Sequence, residues 1–114
     1  MSEDGLLDEP VQLFRGKHLM ARPVSYNHGA VQFDGTQLRL LKSGSVVAQA
    51  PLDQVRYWQP RVFAGTSVKV HVGDDGDWTV SPAKNGMFAL RHARRWVSTF
   101  IDRLTEGGAR DAKE

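Results

Sequence analysis

The longest stretch of periodic apolar residues lies near the end of the chain, from about Asn85 to Leu104. Apolar side chains recur there every three or four positions and form one stripe of a helix. The stripe consists of Ala89, Ala93, Trp96, Val97, Phe100 and Leu104. The opposite face carries Arg91, Arg94, Arg95, Ser98 and Asp102. This pattern predicts a surface helix over residues 86–105 that docks on a core through one side and ends at Gly107-Gly108.

Upstream of the helix, short runs of alternating apolar and polar residues are separated by turn signals. Asp34-Gly35 predicts a two-residue type I′ hairpin turn between strands at 30–33 and 36–41, because Asp-Gly tolerates the positive φ angles of that turn. Ser43-Gly44 predicts the next turn, and residues 67–72 show the cleanest alternation. About seven antiparallel strands followed by one helix predict a mainly β domain, a barrel or roll with the helix closing one end.

The N-terminal third gives weaker signals. Residues 11–24 are consistent with a strand broken near Gly16, and Pro23 favours the end or the edge of a strand. Residues 26–29, Tyr-Asn-His-Gly, predict a loop.

Length and composition indicate one domain with flexible ends. The chain has 114 residues, enough for one hydrophobic core. We expect a flexible acidic tail at 1–10, a single domain at 11–105 and a flexible tail at 106–114. The absence of cysteine excludes disulfides and thiol chemistry, and the acidic N-terminus lacks the pattern of a secretory signal. These features predict a cytoplasmic protein.

Charge is distributed unevenly along the chain. The two tails hold seven of the 13 acidic and two of the 15 basic side chains, which leaves 13 basic and 6 acidic residues, a net charge of +7, in residues 11–105. A basic body could attract an anionic partner. The alternative interpretation is an ordinary solvated surface.

Three segments carry a resemblance to a known superfold: the hairpin at 31–40, the bend at 50–55, and the helix with Trp96, Phe100 and Leu104. Together they resemble the pleckstrin-homology-like (PH-like) superfold, most closely the small PH-like or GRAM-like domains of bacterial proteins. The resemblance covers residues 11–105 and implies a bent barrel with the helix at one open end. It also implies a non-enzymatic interaction module, because PH-like domains bind lipids, peptides and proteins.

The resemblance suggests where an anionic lipid would bind. In that family, basic residues at the end of the first strand and on the second contact phosphoinositides. The candidate residues for an anionic ligand are Lys17, Arg22, Arg39 and Lys42. Residues 30–33 contain no basic side chain, and Asp74, Asp75 and Asp77 would repel a phosphate. Peripheral binding of anionic membrane lipids is therefore the alternative function.

Residues 56–63 combine side chains that are enriched at binding hot spots. The candidate partner-binding residues are Arg56, Trp58, Arg61 and Phe63. If Val55 and Tyr57 face the core, Trp58 faces out beside Arg56. An interface to a protein partner or to a second copy of the chain, and a minor core over the barrel end, both fit this segment.

No catalytic constellation is recognisable. The four histidines lack metal-ligand spacing, and no nucleophile or phosphate-loop motif occurs. We therefore expect no enzyme activity, cofactor, metal or small-molecule substrate. The basic run at 91–95 lacks interleaved aromatic residues, so we expect no nucleic-acid partner either.

Overall fold

The computed structural model describes residues 7–16, 22–58, 67–83 and 90–112. In this part of the chain, eight strands form a sheet and a long helix follows the seventh strand. The elements are β1 (Val11–Arg15), β2 (Arg22–Asp34), β3 (Gln37–Lys42), β4 (Ser45–Pro51), β5 (Val55–Trp58), β6 (Val68–Val72), β7 (Asp77–Pro82), α1 (Leu90–Glu106) and β8 (Arg110–Asp111). Single turns of 3-10 helix, Leu52–Gln54 and Gly73–Asp75, precede β5 and β7. The predicted fold class, mainly β with a C-terminal helix, is confirmed.

The strands form a coiled but open sheet in the order β4-β3-β2-β1-β7-β6-β5-β8. All neighbours are antiparallel except β5 and β8, which run parallel. The backbone N–H of Gln49 in β4 donates to the carboxylate of Asp75, in the turn between β6 and β7, at 2.9 Å. This bond ties one edge of the sheet back to its other half, although no ladder closes the barrel.

The helix packs on the sheet through the predicted apolar stripe. Its Ala93, Trp96, Val97, Phe100 and Leu104 are fully buried. The Trp96 and Phe100 rings stack with centroids 4.9 Å apart, and the Phe33 ring meets Phe100 edge-on at 5.9 Å. The helix ends at Glu106, followed by Gly108 with φ +109°, as predicted. Ala89 and the predicted start near Asn85 lie outside the described residues.

The β2–β3 hairpin differs from the prediction by one residue. Asp34 pairs with Gln37, so the two-residue loop is Gly35-Thr36, and in that loop only Gly35 has a positive φ. This register pairs Phe33 directly with Leu38 and aligns the apolar side chains of both strands on the buried face. The β3–β4 turn, in contrast, is Ser43-Gly44 as predicted, with φ of 50° and 82°.

The loop predicted at 26–29 is wrong, because these residues continue β2. The first half of this 13-residue strand pairs with β1 and the second half with β3. Gly29 lies where the strand passes from one partner to the other. A Cβ at Gly29 would come within 2.6 Å of the Val11 carbonyl oxygen, so the close approach of β1 and β2 requires glycine. Pairing on both sides thus outweighs the turn preference of the local sequence.

Packed structure extends beyond the expected domain limits at both ends. Leu7 is only 5% exposed and joins the hydrophobic core, and Glu9 pairs with His92 of α1 at 2.8 Å. At the other end Ala109 is 6% exposed, and β8 extends the sheet beside β5. The segments 7–10 and 107–112 therefore differ from the flexible tails that the sequence predicts.

Candidate interaction surface

Alternation along β5 and β6 creates a polar outer face on this part of the sheet. Val55 of β5 is buried, and Tyr57 packs partly buried against the core, so Arg56 and Trp58 point to the other side. In β6 the three valines are buried, which places Lys69 and His71 outside. The register sets Trp58 opposite Lys69 and Arg56 opposite His71.

The C-terminal strand adds another cation to the same face. β8 lies along the free side of β5, where Arg110 pairs with Arg56 and Asp111 with Tyr57. The Ala112 N–H donates to the Tyr57 carbonyl oxygen at 2.9 Å and continues this contact. We name the surface formed by Arg56, Trp58, Lys69, His71 and Arg110 the basic outer face.

This face carries more positive than negative charge. Asp77 contacts His71, with its carboxylate oxygen 2.9 Å from Nδ1. Within the described ranges, Arg56, Lys69 and Arg110 form no ion pair. Adjacent strands lie about 4.8 Å apart, and like charges directly opposite each other destabilise a strand pair. An anion bound over this face would relieve that repulsion.

The structure brings together two of the four predicted partner-binding residues. Arg56 is exposed and Trp58 is half-buried on the basic outer face. Arg61 and Phe63 lie outside the described residues. Lys69 and Arg110 also lie on this face, although neither is among the predicted site residues. The alternation of β6 could have indicated Lys69, whereas Arg110 falls in a predicted tail, and a strand of two residues has no readable period.

The candidate residues for an anionic ligand do not form a cluster in the described structure. Arg39 is half-buried and bonded to Asp34 at 2.8 Å, and its guanidinium also donates to Gln49 and Gln32. Lys42 is exposed and lies three positions after Arg39 on β3. Because side chains alternate along a strand, Lys42 and Arg39 lie on opposite faces of the sheet. Arg22 begins β2, and its side chain and all of Lys17 lie outside what the structure describes.

A groove of about 410 Å³ is lined by Leu7, Phe33 and Arg103 among others, and the Arg103 guanidinium lies 4.9 Å from the centre of the Phe33 ring.

No group of three or more histidine and carboxylate side chains in the described ranges could hold a metal ion. No helix in the described part of the chain is long and apolar enough to cross a membrane.

The chain is similar in structure to a PH domain, and the sequence comparisons give no match. No family model matches the chain, and no curated protein sequence matches it. The solution structure of the PH domain of human TBC1 domain family member 2 protein is similar, with a TM-score of 0.45 and 11% sequence identity over 82% of this chain and 81% of that chain. This neighbour is a PH domain, the superfold that the sequence resembles. The bacterial, GRAM-like assignment stays a prediction.

Proposed function

We propose that the chain is a non-enzymatic interaction module that binds an acidic segment of a protein partner through its basic outer face. One observation carries this proposal. Arg56, Lys69 and Arg110 project from three adjacent strands beside Trp58, and no carboxylate in the described residues pairs with them. Arginine pairs with carboxylates in a bidentate geometry, and Arg and Trp are enriched among the residues that dominate binding energies.

The magnitude of the charge favours a protein over a membrane. Each basic residue near an anionic bilayer contributes about 1 kcal/mol, so three contribute about 3 kcal/mol, less than the roughly 4 kcal/mol of a millimolar complex. A protein segment can also pack against Trp58, and a hot-spot aromatic contributes about 2 kcal/mol or more. An acidic segment with an aromatic or apolar side chain therefore fits the face better than a lipid surface does.

A different protein also fits better than a second copy of the chain. A two-fold dimer through the basic outer face would set the same cations against each other. Strand addition at β4 would have to displace Asp75 from the Gln49 N–H and to avoid Pro51, which has no N–H. At the other edge, β8 already covers β5. We therefore expect side-chain contacts with an unlike partner, in the cytoplasm as the sequence predicts.

The test uses a fluorescein-labelled peptide that alternates glutamate with tyrosine, titrated into the full chain by fluorescence anisotropy. We expect saturable binding that weakens with salt, because exposed charges are screened beyond about 10 Å at 0.1 M ionic strength. Trp58→Ala should weaken binding about 30-fold or more with a nearly unchanged melting temperature, because loss of a hot spot costs about 2 kcal/mol or more. Arg56→Gln should weaken it as well.

The matched control is Arg94→Gln, which removes the same charge from the exposed face of α1. If Arg56→Gln and Arg94→Gln weakened peptide binding equally, binding would depend only on the net charge of the chain, which would contradict the proposed site. Unfolding of Trp58→Ala would assign Trp58 to the core. The lipid alternative would be favoured if the chain bound phosphatidylserine vesicles but not the peptide, and if Arg56→Gln abolished the vesicle binding. A dimer by sedimentation velocity that Trp58→Ala dissolves would favour self-association.

A further inference from the structure

The segment after α1 is fixed firmly at its start. The Ala109 side chain is buried, and its N–H donates to the Leu104 carbonyl oxygen at 2.9 Å. Gly107 lies so close to Leu52 that a Cβ there would overlap the leucine side chain. Gly108, with φ +109°, turns the backbone between Gly107 and Ala109. The direction in which the chain leaves the helix is therefore set as far as Ala109.

Beyond Ala109, the described segment lies at the exposed edge of the sheet. β8 contains two residues, runs parallel to β5 at the edge of the sheet, and exposes Arg110. Directly after β8, the Ala112 N–H donates a hydrogen bond to the Tyr57 carbonyl oxygen. A short edge strand with few backbone bonds close to solvent opens at low free energy. We therefore expect β8 to exchange between docked and undocked states.

Docking has an electrostatic cost. It sets Arg110 opposite Arg56, and both side chains are exposed and without an ion pair in the described residues. Directly opposed like charges destabilise a strand pair. The docked state is thus disfavoured by this pair until an anion lies between the two guanidinium groups.

We infer that carboxylates of an acidic segment bind between Arg56 and Arg110 and thereby hold β8 in its docked state. Such a carboxylate accepts hydrogen bonds from both guanidinium groups and removes their repulsion. Because the ligand binds the docked state more tightly, binding and docking favour each other to the same extent. The inference rests on the proposed function, and it makes residues 107–112 part of the binding site.

The test is amide hydrogen exchange at Ala112 in the full chain, with and without the glutamate–tyrosine peptide. The peptide should slow exchange at Ala112 and leave the Ala109 amide unchanged, because only the segment beyond Ala109 opens. Arg56→Gln should favour docking of β8 in the absence of peptide and yet weaken peptide binding. Without peptide it should slow Ala112 exchange about 1.5- to 5-fold, the equivalent of one like-charged cross-strand pair, and it should also weaken peptide binding.

Arg94→Gln again serves as the control, since it removes a positive charge far along α1 from β8. Its Ala112 exchange should match the wild type. Peptide binding without any change at Ala112 would overturn the coupling and leave the proposed function intact. No peptide binding by the wild-type chain would overturn both. Faster Ala112 exchange in Arg56→Gln without peptide would overturn the argument that the two arginines oppose docking.

Discussion

Phe100→Ala is the sharpest test of how α1 is held on the sheet. Phe100 has no exposed surface, stacks on Trp96 with ring centroids 4.9 Å apart, and makes an edge contact with the Phe33 ring at 5.9 Å. Truncation of a buried phenylalanine to alanine costs about 3–5 kcal/mol through lost transfer energy and the cavity left behind. Two ring contacts disappear as well, each contributing about 0.5–1.5 kcal/mol, so we expect the upper half of that range.

The measurement is urea unfolding followed by circular dichroism. With a loss of about 4–5 kcal/mol and a denaturant slope of about 1–3 kcal/mol/M, the urea midpoint should fall by at least about 1.3 M. Phe100→Leu keeps most of the volume but removes both ring contacts, and should cost about 1–3 kcal/mol. Leu90→Ala, at a 40% exposed position on the same helix, should stay within about 0.5 kcal/mol of the wild type. A loss below about 1 kcal/mol for Phe100→Ala would refute the docked helix, because a fully buried ring costs more.

Two further substitutions test how the sheet is held together. Gly29→Ala should cost about 1–3 kcal/mol in urea unfolding, because the new Cβ would lie 2.6 Å from the Val11 carbonyl oxygen; a neutral result would contradict the close approach of β1 and β2. Asp75→Ala should cost about 0.5–1.5 kcal/mol and accelerate amide exchange at Gln49, whose N–H loses its acceptor. Asp74→Ala, at the exposed neighbouring position, should change neither quantity.

The helix could be predicted because its signals are local. Its buried stripe follows from periodicity, and its end follows from Gly107-Gly108, so neither depends on where the strands lie. The Ser43-Gly44 turn is local in the same sense, since both residues adopt the positive φ that a type I′ turn requires. The misplaced turn at Gly35-Thr36 shows the limit of such signals. There the register that buries the apolar side chains of both strands decided which two residues form the loop.

The remaining differences depend on tertiary pairing. Residues 26–29 have the composition of a loop, yet they extend β2 because β1 and β3 pair with successive parts of that strand. The candidate site divides in the same way. Alternation alone indicates that Arg56, Trp58 and Lys69 point outward. Only the return of the chain after α1 brings Arg110 beside Arg56, and no feature of residues 110–111 encodes that pairing locally.

The two edges of the sheet determine how a partner can approach. At β4 the Gln49 N–H is bonded to Asp75, and at β5 the backbone is paired with β8, so strand addition at either edge must first break an internal contact. A partner that displaced β8 would also remove Arg110 from the basic outer face. Strand addition at β5 and carboxylate binding by Arg56 and Arg110 are therefore mutually exclusive. Exposed strand edges can pair with other chains and so lead to aggregation. An acidic ligand that stabilises docked β8 therefore protects the β5 edge from such pairing.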